Sequence, residues 1–262
     1  MSNLNRLVGV IATLRSPQGC PWDRAQTLRS MRGYLLEEVY EVLEAINLPD
    51  DDPDRASLLT EELGDLLFNV LMLTQIAADS GLADIEQVAA QISDKMVTRH
   101  PHVFDPDNHS HTDGGTLKLW EAIKDRKKQR TSRLDGIPRA LPALLRAHRQ
   151  GEKAGLVGFD WHNAEGVFAK IDEELGELRE AIADGDPRAI EHEYGDLLMA
   201  SASLGRQIGA NPEDALQVAN NRFYSRFAKM EALARARGTD LSTEDDEALD
   251  ALWEEAKRQS QN

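Results

Sequence analysis

The stretch IDEELGELREAI, Ile171 to Ile182, carries five acids (Asp172, Glu173, Glu174, Glu177 and Glu180) and one cation, Arg179. Its apolar residues Ile171, Leu175, Leu178 and Ile182 recur at i, i+4, i+7 and i+11, the spacing of one face of an α-helix. A solvated helix face normally mixes charge signs to relieve repulsion. This one concentrates negative charge beside a face that has to be buried.

The same arrangement occurs earlier. LLEEVYEVLEAI (Leu35–Ile46) sets Glu37-Glu38-x-x-Glu41 against Glu173-Glu174-x-x-Glu177 at an offset of 136. Glu62-Leu-Gly-Asp65 matches Glu193-Tyr-Gly-Asp196 at an offset of 131. Gly19-x-x-Trp22 matches Gly158-x-x-Trp161. Lys95-x-x-x-Arg99 pairs with Arg222-x-x-x-Arg226, and Trp120-Glu-x-x-Lys124 with Trp253-Glu-x-x-Lys257. Five elements recur in one order with small drifts in offset, which points to two homologous halves.

Elsewhere the periodicity is helical too. Leu35, Val39, Val42, Leu43 and Ile46 share a face, and no alternating β-branched run bounded by turn residues suggests a strand. LPDDDPD (Leu48–Asp54) and ADGDP (Ala183–Pro187) read as loops between helices, and DPDNHSHTDGG (Asp105–Gly115) as a longer polar loop. RTSRLDGIPRALP (Arg130–Pro142) is the best boundary. The expected organisation is all-α: an N-terminal bundle over 1–129, a linker over 130–142 and a C-terminal bundle over 143–262.

The chain has 262 residues, 41% hydrophobic and 29% charged, enough for real cores. A net charge of −16 opposes non-specific binding to nucleic acid. Cys20 is the single cysteine, so a disulfide framework and a Cys-rich zinc site are excluded. MSNLNRLVGVIATLRS reads as an amphipathic helix and not as a signal peptide. The longest apolar stretch, Leu66–Ala78, falls short of the roughly 20 residues a bilayer span needs. A soluble cytoplasmic protein without membrane contact is the expectation.

The acids carry the candidate chemistry. Glu174 and Glu177 are i, i+3 neighbours, as are Glu193 and Asp196 on the next helix. Antiparallel helices would gather these four carboxylates at one point. Such an anionic cluster requires neutralisation, and an all-oxygen set suits a hard cation such as Mg2+ or Mn2+. The glycines before Asp65 and Asp196 suggest a place where bulk is unwelcome. A solvated helix face explains one EExxE but not the repeated pairing. A di-iron bundle would call for Glu-x-x-His, and both second helices carry Asp in its place.

Arg222 and Arg226 project from one face of a helix, Lys170 lies one turn before Glu174, and Lys257 one turn after Trp253. A ring and several cations beside a hard-metal site suit a nucleotide, although Trp253 alone could simply pin the last helix and Arg226 could pair with a surface acid. No P-loop occurs. His100, His102, His109 and His111 read as a polar loop region and not as a zinc site.

GCPWDRAQT (Gly19–Thr27), YLLEEVYEVLEAI (Tyr34–Ile46), EELGDLLF (Glu61–Phe68), RHPHVF (Arg99–Phe104), LDGIPRALPALLRA (Leu134–Ala147), VGFDW (Val157–Trp161) and EYGDLL (Glu193–Leu198) together resemble the MazG family, all-α nucleoside triphosphate pyrophosphohydrolases. The resemblance covers nearly the whole chain. It implies two tandem MazG domains, a homodimer of helical bundles, and Mg2+-dependent hydrolysis of ribo- and deoxynucleoside triphosphates to monophosphate and pyrophosphate with broad base tolerance. It also implies that the C-terminal domain is the active one.

Carried over by motif position, Glu174, Glu177, Glu193 and Asp196 would hold Mg2+. Glu173 would help orient water, and Lys170, Arg222, Arg226, Trp253 and Lys257 would hold the nucleotide. Arg222 departs from the family, which often has Lys there. Tyr34 takes the place of Lys170 in the first half. Its acids Glu38, Glu41, Glu62 and Asp65 are intact, so that half is expected to bind metal without full activity. The alternatives are a regulatory nucleotide- or partner-binding protein with vestigial chemistry, and a narrower pyrophosphatase for dUTP, damaged nucleotides or phosphoribosyl-ATP.

Overall fold

A computed structural model describes residues 2–104 and 131–260, the side chain of His102 aside. Among these residues the regular elements are helical and no strand occurs. Trp120, Lys124, His109 and His111 lie outside the described residues, as does the whole long polar loop Asp105–Gly115. The chain divides into two compact units, Met1–Trp120 and Glu121–Asn262.

The first unit is organised by a helical hairpin. α1 (Asn3–Leu14) is capped by Ser2, whose hydroxyl accepts from the Asn5 amide at 3.2 Å. After the short α2 (Pro21–Ala25), α3 (Met31–Asn47) ends where Leu48 turns extended before Pro49. α4 (Arg55–Asp79) returns alongside it, so LPDDDPD is the loop its composition suggests. α5 (Ile85–Arg99) begins with a capping box between Asp84 and Gln87 and leans on α4. One short turn, α6 (Pro101–Phe104), follows. Ile11, Met31, Leu71, Met72 and Ile76 form the core, joining α1 and α3 to α4.

The second unit repeats the hairpin. α7 (Ala143–Gly155) precedes α8 (Ala164–Asp184), which starts at Asn163, whose side chain accepts from the Gly166 amide. α8 stops at Gly185, whose φ of +67° is a left-handed C-cap that glycine adopts without strain. Asp186 then caps α9 (Pro187–Gln207) by accepting from the Arg188 amide at 2.9 Å, with Pro187 in the first turn. The ADGDP turn is therefore tighter than the sequence suggests, because Ala183 and Asp184 remain helical. α10 (Pro212–Arg237) and α11 (Asp246–Gln259) pair around Met230, Ala234, Leu252 and Ala256. α7 packs on α9 and α10.

Residues 131–142 are tied to this unit, since Lys153 Nζ on α7 donates to the Asp135 carbonyl at 2.8 Å. The two repeated Gly-x-x-Trp motifs use their glycines differently. A Cβ on Gly19 would sit 2.2 Å from the Leu14 carbonyl oxygen, whereas Gly158 has open space but a φ of +84°. No helix among the described residues is long and apolar enough to cross a membrane.

Candidate functional site

The α8–α9 hairpin brings the candidate acids together. On α8, Lys170, Glu173, Glu174 and Glu177 follow one another at i, i+3, i+4 and i+7 and so share a side. On α9, Glu193 faces them. Glu174, Glu177 and Glu193 each offer a carboxylate oxygen within 4.8 Å of the others. Asp196 groups instead with Glu193 and His192, again within 4.8 Å. The four acids thus form two overlapping groups that share Glu193.

Glu174 is the deepest member. It is 3% exposed, more buried than the apolar stripe beside it, and Ile182 at the far end of that stripe is 58% exposed. Val167 and Ala181 fill the buried face instead. Lys170 Nζ sits 2.7 Å from Glu173 Oε1 and 2.8 Å from Glu174 Oε1. Those bonds, to Glu173 first and Glu174 second, raise the Lys170 ammonium above its ordinary value. Glu174 Oε2 is buried and has no hydrogen-bond partner.

Partial desolvation, and then the charges of Glu174 and Glu193, raise the Glu177 carboxyl above the ordinary carboxylate value. Excess negative charge, a lone-pair oxygen with no donor and an all-oxygen set are the features a hard divalent cation relieves. The residues present fit such an ion.

His192, missed in the sequence, lies with Nδ1 3.2 Å from Glu193 Oε1 and 3.3 Å from Asp196 Oδ2. Its i, i+4 spacing to Asp196 was the available signal. It adds a nitrogen donor at the open side of the acids.

The first unit holds a second copy. Glu38, Glu41 and Glu62 cluster within 4.8 Å. Desolvation and then Glu41, Asp65 and Glu62 raise Glu38. Desolvation followed by Glu41 and other acids raises Glu62. A Cβ on Gly64 or Gly195 would meet nothing within 4 Å, so the expectation that bulk is unwelcome there fails within one chain.

Of the residues expected to hold the nucleotide, Lys170 is on α8 among the acids, and Arg222, Arg226, Trp253 and Lys257 sit on the α10–α11 pair. Trp253 packs against the Met230–Leu252 core, and its ring centroid is 5.3 Å from that of Phe223. Lys257 pairs with Glu254. Arg222 is exposed, and Arg226 Nε is buried without a partner. Among the described residues no hydrogen bond or ion pair links these last four side chains to Glu174, Glu177, Glu193 or Asp196.

The sequence profile of the MazG nucleotide pyrophosphohydrolase domain matches residues 26–104 and again 163–228. The chain belongs to the MazG family. Both MazG matches contain the hairpin and its acids, and the second contains Arg222 and Arg226 but stops short of Trp253 and Lys257. Over 253 residues the chain is 44% identical to the nucleoside triphosphate pyrophosphohydrolase/pyrophosphatase MazG of Thermotoga maritima, covering 96% of this chain and 94% of that protein. It is 41% identical over 267 residues to the nucleoside triphosphate pyrophosphohydrolase of Escherichia coli K12, covering 99% and 98%. It also shares 40% identity over 251 residues with the uncharacterized protein YabN of Bacillus subtilis, covering 95% of this chain and 50% of that one.

Proposed function

We propose that this MazG-family enzyme hydrolyses nucleoside triphosphates to the monophosphate and pyrophosphate at the α8–α9 hairpin, accepting ribo and deoxy sugars and several bases. The observation that carries the reading is Glu174: a buried carboxylate, paired with Lys170 on one oxygen and unpartnered on the other, grouped with Glu177 and Glu193.

Glu174, Glu177, Glu193 and Asp196 would hold Mg2+, with Mn2+ as a substitute. When bound, the cation neutralises phosphate charge and lowers the pKa of the attacking water. The water oxygen bonds to the α-phosphorus, the bond from that phosphorus to the bridging oxygen breaks, and pyrophosphate leaves with the electron pair. Glu173, exposed beside Lys170, orients the water and accepts its proton. Lys170, Arg222 and Arg226 hold the phosphates and stabilise charge on the leaving group. Trp253 holds the base, and Lys257 adds a further cation for the phosphates.

A homodimer is part of the same proposal. Its support is the apolar surface each unit leaves open, including Val39, Leu43 and Ile46 on α3 and Ile182, Leu198 and Phe223 in the second unit. The test is to incubate the protein with each nucleoside triphosphate and Mg2+ and to quantify pyrophosphate against orthophosphate. The proposal requires pyrophosphate and a monophosphate in equal amounts. Orthophosphate and a diphosphate as products would refute it.

A further inference from the structure

Beside the four carboxylates of the second unit stands one imidazole. His192 Nδ1 lies 3.2 Å from Glu193 Oε1 and 3.3 Å from Asp196 Oδ2. The three side chains offer donor atoms within 4.8 Å of one another. The i, i+4 step from His192 to Asp196 spans about one helical turn. It is the spacing by which two side chains grip one ion in the helical His-Glu-x-x-His motif. His192-Glu-x-x-Asp196 keeps that spacing, with a carboxylate in the last place.

The helix that carries this group is held from two sides, since α8 and α7 both pack on α9, so the three donors rest on one rigid element. The His192 side chain is 70% exposed, and that of Glu193 only 21%. The group therefore faces solvent with Glu193 as its inner edge. Glu193 also belongs to the Glu174–Glu177–Glu193 group, in which Glu174 is buried and its Oε2 has no partner. The imidazole thus extends outward a cluster whose deepest carboxylate still lacks a positive neighbour on one oxygen.

The first unit has no such nitrogen. At the offset of 131 that matches the two Glu-x-Gly-Asp segments, His192 falls on Glu61. Among the described residues the group found there is Glu38, Glu41 and Glu62, oxygen donors throughout. The difference bears on which ion enters. Mg2+ takes oxygen ligands and gives up its waters reluctantly. Imidazole suits the later first-row divalent ions instead.

We infer that His192, Glu193 and Asp196 form a mixed nitrogen and oxygen site for a divalent transition ion such as Fe2+, Co2+ or Zn2+, so that the two halves of the chain differ in ion preference. The inference rests on reading the α8–α9 hairpin as metal-binding. An imidazolium paired with two carboxylates would give the same two distances, and ion binding distinguishes the two arrangements.

The experiment is calorimetric titration of the full chain, without nucleotide, with Co2+ and separately with Mg2+. Every protein compared carries Glu38→Gln, which disables the first unit's group. Every one also keeps His100, His102, His109 and His111, so any ion they take cancels in the comparison. The parent should bind Co2+ roughly tenfold or more tightly than Mg2+. His192→Ala should weaken Co2+ by roughly tenfold or more, the least that outer-shell partners of a bound metal are worth, and leave Mg2+ within about twofold. His192→Glu, which installs the first unit's residue, should abolish the Co2+ preference while keeping a ligand atom in place. The side chain is exposed, so neither substitution should disturb folding. A Co2+ preference that survives both variants would leave an ion pair only and overturn the inference, as would a parent that binds Mg2+ as tightly as Co2+. Glu193→Ala should lose both ions. Mg2+ binding retained in that variant would count against the carboxylate reading of the hairpin, not against the part given to His192.

Discussion

Lys170 reaches one turn along α8 to bring Nζ within 2.8 Å of Glu174 Oε1, while Glu174 Oε2 stays buried without a partner. One cation thus satisfies half of a buried carboxylate, and a second positive charge is needed for the rest. Adding Mg2+ at neutral pH should therefore stabilise the fold, by about 2.7 kcal/mol per site at a hundredfold excess over Kd. In Glu174→Gln the thermal shift should shrink, with the remainder lost on adding Glu38→Gln. A wild-type melting temperature indifferent to Mg2+ would contradict the metal assignment.

Asp160 accepts from Arg206 through both carboxylate oxygens, and the Gln207 side chain donates to the Trp161 carbonyl, so the VGFDW loop is fastened to α9. The Arg206 hydrogen bonds, working against burial, hold the Asp160 carboxyl below its ordinary value of 3.8. A depressed folded value means that the stabilisation is complete above pH 3.8 and disappears as pH falls through the lower folded value. Asp160→Asn should cost about 3 kcal/mol near pH 7, because it strands a largely buried guanidinium. The gap between variant and wild type should close in acid. Thermal melts across that range check it.

The chain should sediment as a dimer, at twice its 29.1 kDa. Leu43→Glu and Ile182→Glu place charge on side chains that are exposed within one chain, so neither should disturb folding. At least one should shift the mass toward the monomer. A wild-type protein that runs as a monomer at micromolar concentration would remove the dimer proposal.

Both helical hairpins were legible because apolar spacing, glycine and proline act locally, and Leu48–Asp54 and Gly185–Pro187 behave as their composition suggests. The acids were legible because they occur twice. What escaped was what depends on packing between helices. Periodicity made Ile171, Leu175, Leu178 and Ile182 the face to be buried, whereas Glu174 is more buried than Ile182, because α9 packs on that side of α8. The two glycines before Asp65 and Asp196 suggested crowding, and their surroundings within one chain are open. His192 escaped because the first half has Glu61 at the matching position, so the repeat does not mark it. For Trp253 the sequence left two readings open, a base-stacking ring or a pin for the last helix, and its ring does pack against the α10–α11 core.

The acids of the α8–α9 hairpin are proposed to perform the hydrolysis. The most direct test is Mg2+-dependent pyrophosphate release by Glu193→Ala and Asp196→Ala, with helicity matched to wild type. Glu193 belongs to both carboxylate groups, so its loss should abolish release, and Asp196→Ala should do the same. A folded Glu193→Ala protein releasing pyrophosphate at the wild-type rate would contradict the account.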